Sequence, residues 1–69
     1  MTVTTIYRNG EIIGAYRSYK RAMKELIADI QGVCPERTTE SIIAELEDNG
    51  SVDDFWYYDE LEVDMEGDD

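Results

Sequence analysis

A chain of 69 residues with 42% hydrophobic and 10% aromatic content has material for one small domain, and too many aromatics for disorder along most of its length. A net charge of -11, no histidine and a single cysteine exclude an internal disulfide and any catalytic triad built on imidazole, and disfavour direct binding to nucleic acid or an anionic membrane. No stretch approaches the roughly 18 apolar residues of a membrane span, and positions 1–10 lack the basic-then-apolar order of a secretion signal, so a cytoplasmic location is expected.

Two apolar runs, Thr2 to Tyr7 and Glu11 to Tyr16, flank Asn9-Gly10, the dipeptide whose readiness for positive φ favours a two-residue type I′ turn. A β-hairpin over about 2–16 is expected, pairing Tyr7 with Ile12, Ile6 with Ile13 and Val3 with Tyr16. One face would then carry Ile6, Ile13 and Ala15, and the other Val3, Tyr7, Ile12 and Tyr16. Both faces are apolar, so one should pack on helices while the other meets a partner or solvent.

Ser18 is a natural N-cap for a helix over about 19–31, with Tyr19, Met23, Leu26, Ile27 and Ile30 at helical spacing and Ala22 beside them. Gly32 suits the left-handed position that ends such a helix. Lys20, Arg21 and Lys24 fall on its outer side, where a solvated basic face is expected rather than a nucleic-acid site. A second helix is expected over about 36–48, started by Pro35 or, in a shorter version, capped by Thr38, and ended by Asn49-Gly50. Its apolar stripe is Thr39, Ile42, Ile43 and Leu46. Glu45, Glu47 and Asp48 crowd its C-terminus against the helix dipole, a local cost that implies another use.

The last segment, about 55–66, reads as a strand. Leu61, Val63 and Met65 alternate with Glu60, Glu62 and Asp64, which predicts an apolar buried side and an outward row of carboxylates. An unbroken strand from Phe55 would place Asp59 on that buried side, so a bulge or break is expected near Tyr58-Asp59. Ser51 and Asp54 have capping-box spacing, consistent with a helical turn before the strand, and residues 67–69 should fray. The expected architecture is therefore α+β in ββααβ order: one domain, with a three-stranded antiparallel sheet packed on two helices.

Charge is arranged in two blocks. Six basic residues and four acidic ones share positions 1–37, a net of +2, whereas thirteen acidic residues and no basic one occupy positions 38–69. Such a block attracts an electropositive surface and costs stability through self-repulsion. Salt adaptation would also produce acids, but over the whole surface, and a halophilic domain should need molar salt to fold. Catalysis has little to draw on. Cys34 has no activating neighbour in sequence and precedes a proline, no glycine-rich phosphate loop is present, and the runs at 48–54 and 64–69 do not have calcium-loop spacing. No enzyme activity, cofactor or bound metal is expected. Successive outward carboxylates on a strand stand about 6.6–6.8 Å apart, the same order as neighbouring phosphates along a nucleic-acid backbone. Glu60, Glu62 and Asp64 are the first candidates to meet a basic groove, joined by Glu45, Glu47, Asp48, Asp53, Asp54 and Asp59. Trp56 and Tyr58 are divided between interface and core.

In size, acidity and element order the chain resembles the anti-CRISPR proteins of phages and mobile elements. That resemblance implies an inhibitor acting in the host cytoplasm, covering a basic DNA-binding surface of a Cas nuclease or Cascade complex, and it transfers no functional residue. The alternative class is a small regulatory or structural module, antitoxin-like, that assembles through the apolar hairpin face, so the oligomeric state stays open.

Overall fold

A computed structural model describes residues 1–62. Strands β1 (Thr2–Arg8) and β2 (Glu11–Tyr16) are followed by helices α1 (Tyr19–Val33) and α2 (Thr39–Asn49), then strand β3 (Trp56–Glu62). The fold is α+β in ββααβ order, with an antiparallel sheet β2-β1-β3. The first strand in the sequence is thus central, because β3 returns along its far side from β2.

Asn9 (φ 55°) and Gly10 (φ 83°) close the hairpin as expected, and Tyr7 pairs with Ile12. The register then shifts: Ile6 faces Gly14, Thr5 faces Ala15 and Thr4 faces Tyr16. The extra residue, Ile13, exchanges the faces of everything after it, since a slip of one residue reverses each side chain. Tyr16 therefore packs against the core and Ala15 points the other way, the reverse of the expected assignment. Gly14 permits this, because a Cβ there would stand 2.8 Å from the Tyr16 ring.

Both helices cover one face of the sheet. Ile6, Ala22, Leu26, Ile30, Ile42, Leu46, Val52 and Trp56 form the core. The Ser18 side chain caps α1 by accepting from the Arg21 N–H at 3.2 Å. Contrary to expectation, α1 does not stop before Gly32. It continues to Val33, and the Cys34 N–H closes the last turn on the Ile30 carbonyl. Gly32 has no positive φ, and a Cβ there would meet nothing within 4 Å. Gly32→Ala is therefore expected to stabilise the protein by about 0.5–1 kcal/mol, the helical cost of glycine. Urea denaturation measures it, and a loss of stability would restore the left-handed reading.

The shorter version of α2 is the one formed. Thr38 accepts from the Ser41 N–H at 3.1 Å, and Gly50 (φ 79°) ends the helix in the left-handed region. Pro35 and Glu36 lie in a turn, which the Gln31 amide secures by donating to the Arg37 carbonyl at 3.2 Å. Within the expected stripe only Ile42 and Leu46 are buried, while Thr39 and Ile43 are exposed.

β3 runs without a break from Trp56, opposite Arg8, to Glu62, opposite Thr2. The expected bulge rested on placing Phe55, Tyr57 and Leu61 inward. Instead Trp56 and Tyr58 take the core side, so Asp59 falls harmlessly on the open face with Tyr57 and Leu61. Leu61, expected to be buried, is 43% exposed. Val63, Asp64 and Met65 lie outside the described residues.

Candidate functional site

The acids after position 37 form two sets. One set is spent on holding the fold. Glu45 accepts from the Arg37 guanidinium and, at 2.9 Å, from the Asp53 N–H; Arg37 also donates to the Asp53 carboxylate at 3.3 Å. Asp53 and Asp54 have φ of 58° and 53°, the left-handed region that Asp tolerates better than most residues, and the Phe55 N–H closes the turn on the Val52 carbonyl. A tight turn thus stands where Ser51 and Asp54 suggested a helical one; the Ser51 hydroxyl donates to the Asp54 carboxylate at 3.3 Å. Glu45, which opposes the α2 dipole, is repaid by pinning this turn. The dipole cost that implied another use has a structural answer at this residue.

The Asp53 N–H, and after it Arg37, hold the Glu45 carboxyl below its ordinary pKa of 4.5. The ionised form therefore stabilises the fold fully above that value, and its contribution fades as pH falls through the lower folded value. Glu45→Gln should accordingly melt below the wild type at about pH 7, with the gap closing toward about pH 3. A gap unchanged over that range in thermal melts followed by circular dichroism would contradict this role.

The second set faces solvent. Glu40, Glu47 and Asp48 on α2 and Glu60 on β3 are exposed, and their carboxylates make no hydrogen bond or ion pair among the described residues. Asp54 and Asp59 are exposed as well. Asp59 accepts from the Glu60 N–H at 2.9 Å, which occupies a donor on the outer edge of β3 and so guards that edge against strand pairing. Glu62 accepts from the Met1 amino group at 3.0 Å and from the Thr2 hydroxyl at 3.3 Å, and both contacts lower its pKa. Glu60 and Glu62 thus share a face, whereas Asp59 lies on the opposite one. Glu60 and Glu62 keep the common face expected of the row, Asp64 lies outside the described residues, and exposed acids on α2, in the turn and at Asp59 widen the row into a band.

The two candidate aromatics part company. Trp56 is 3% exposed, in the core, and its Nε1 donates to the Asp29 carboxylate at 2.8 Å. Arg8 Nη1 donates to both oxygens of the same carboxylate, at 2.9 and 3.2 Å. This Arg8–Asp29–Trp56 linkage ties β1, α1 and β3 together. Nothing in the local sequence around Asp29 singles it out, because its partners are 21 and 27 positions away. Tyr58 is half-buried and meets Tyr19 edge-on, with ring centroids 5.6 Å apart. Donation by the Tyr19 hydroxyl to Tyr58, then partial burial and the charges of Tyr58, Glu47 and Glu60, raise the Tyr19 pKa above 10.0.

Beside these tyrosines an apolar groove of about 340 Å³ opens between α1, α2 and β3, lined by Tyr19, Lys20, Met23, Ile43, Leu46, Glu47 and Tyr58. On the open face of the sheet Tyr7 stacks on Tyr57 at 4.7 Å beside its pair partner Ile12, which is 61% exposed, and Leu61 lies further along the same face. Among the described residues no three metal-ligating side chains come together, and no helix is long and apolar enough to cross a membrane. No family model, curated protein or solved structure matches this chain.

Proposed function

We propose that this protein is a non-enzymatic inhibitor whose α2–β3 side occupies the basic DNA-binding surface of a CRISPR effector, a Cas nuclease or a Cascade complex. One observation carries the reading: positions 38–69 hold no basic residue, and Glu47, Asp48 and Glu60 remain exposed and unengaged once the fold has taken the carboxylates it needs. Carboxylates left in water in a chain already at -11 cost stability through self-repulsion, a cost that an electropositive partner offsets. The choice of a CRISPR effector follows from the likeness in size, acidity and element order to anti-CRISPR proteins.

A competition assay tests it. Purified Cas nucleases and Cascade complexes are loaded with guide RNA, and target-DNA binding is followed by gel shift as the protein is added. The expected outcome is loss of DNA binding by at least one effector, weakening as ionic strength rises. Full DNA binding by every effector at low salt would remove CRISPR inhibition as the function.

The open face of the sheet favours a second reading, assembly through Val3, Tyr7, Ile12, Tyr57 and Leu61, which neither helix covers. Analytical ultracentrifugation should then show a salt-insensitive oligomer that Ile12→Lys dissociates. A monomer at every concentration would exclude it.

A further inference from the structure

The groove between α1, α2 and β3 combines an apolar lining with exposed carboxylates beside it. Its walls are apolar, with Met23, Ile43, Leu46 and the rings of Tyr19 and Tyr58. Its rim is acidic on the α2–β3 side: Glu47 lines the mouth, and exposed Glu60 lies two residues beyond the wall residue Tyr58 on the same face of β3. Tyr19 is 48% exposed and Ile43 39% exposed, although both belong to the apolar faces of their helices. The reason is geometric. Leu46 and Ile42 bring α2 onto the core, and Ile43, one position round the helix, faces the gap beside α1 rather than α1 itself. Apolar surface left at such a gap gains free energy when another apolar group fills it. At about 340 Å³ the space is at the small end for a ligand pocket and suits one large side chain.

We infer that this groove is the anchor point of the interface, receiving one aromatic or large aliphatic side chain of the partner that is flanked by lysine or arginine. The occupant is chosen by charge complementarity. An apolar residue carried among bases seats its side chain between Tyr19, Ile43 and Tyr58 while its neighbours meet Glu47 and Glu60. A nucleic acid or an acidic segment would be repelled by the same rim. Lys20 on the α1 wall marks the side on which the basic neighbours do not lie. The inference rests on the acidic-docking reading and adds an apolar hot spot to it: charges steer and orient the encounter, whereas a buried aromatic supplies most of the holding energy.

The test compares two peptides by nuclear magnetic resonance titration of the ¹⁵N-labelled protein at low salt: five residues with tryptophan between two lysine pairs, and the same with alanine at the centre. The tryptophan peptide should bind roughly tenfold more tightly, the value of burying part of one aromatic side chain. Its shifts should centre on Tyr19, Ile43 and Glu47. Ile43→Asp, at an exposed position, should abolish the preference while binding the alanine peptide at least as well, because it removes apolar surface and adds negative charge. Equal affinities for the two peptides on the wild-type protein would overturn the anchor and leave acidic docking standing. A preference that survives Ile43→Asp would overturn the location. Failure of both peptides to bind would overturn the anchor and the acidic-docking reading together. The wild-type comparison stands even if the variant folds poorly.

Discussion

Trp56→Ala is expected to be severely destabilising. The indole is almost wholly buried, and removing it costs the transfer energy of a large aromatic plus that of the cavity left behind, about 3–5 kcal/mol. Its Nε1–H also satisfies a carboxylate oxygen of Asp29, which then retains only Arg8. Chains of this size have roughly 3–10 kcal/mol of stability at the usual 0.05–0.15 kcal/mol per residue, so one such loss removes about a third of it at the least and all of it at the low end. Trp56→Phe separates the two contributions, since it keeps most of the ring volume and deletes the hydrogen bond; a loss of about 1–3 kcal/mol is expected from urea melts. If Trp56→Ala instead kept a cooperative transition close to that of the wild type, the Arg8–Asp29–Trp56 linkage would not be what joins the sheet to α1.

The second large effect concerns binding rather than folding. Replacing Glu47, Asp48 and Glu60 together by lysine moves the net charge from -11 to -5, two units for each substitution. None of the three carboxylates makes a hydrogen bond or ion pair within the described residues, so the variant should fold at least as well as the wild type and gain from reduced self-repulsion. Against a basic surface, three attractions become three repulsions. At roughly 1 kcal/mol for each charge at an interface rim, the inhibitory concentration in the DNA-competition assay should rise at least about a hundredfold. A variant that folds and inhibits equally well would show that this band of acids is not the contact surface. Glu45 and Glu62 are left out of the triple variant because each carries internal contacts whose loss would blur the result.

The same distinction between carboxylates explains how far the sequence alone reached. Element order and the hairpin turn follow from short-range signals: Asn9-Gly10 for the turn, Ser18 and Thr38 as caps, Gly50 as a stop. Those signals act within four or five residues and are readable one at a time. What depends on long-range contact has no such local signal. The register shift at Ile13 cannot be seen from alternation, because Ile12 and Ile13 are interchangeable in hydrophobicity until Gly14 admits the Tyr16 ring. Gly32 reads as a helix stop by residue type, and only the continued hydrogen bonding to Cys34 shows otherwise. In β3 the aromatic run offers an inward residue on either phase, and the choice of Trp56 and Tyr58 is made by Asp29 and Tyr19 on α1. The acids were legible as a block but not as two sets. Whether a carboxylate faces a partner or an Arg37 guanidinium depends on contacts eight residues away across a turn. The apolar groove had no sequence signal of its own, since it arises where two helices fail to meet.

Immobilised protein exposed to lysate of CRISPR-bearing bacteria, in parallel with the Glu47, Asp48 and Glu60 lysine variant, tests the central claim most directly. Eluted by a salt gradient and identified by mass spectrometry, the wild-type column should retain a Cas nuclease or Cascade subunits that leave at moderate ionic strength, and the variant column should not. The same proteins held equally by both columns, or no nucleic-acid-binding protein held by either, would contradict the account.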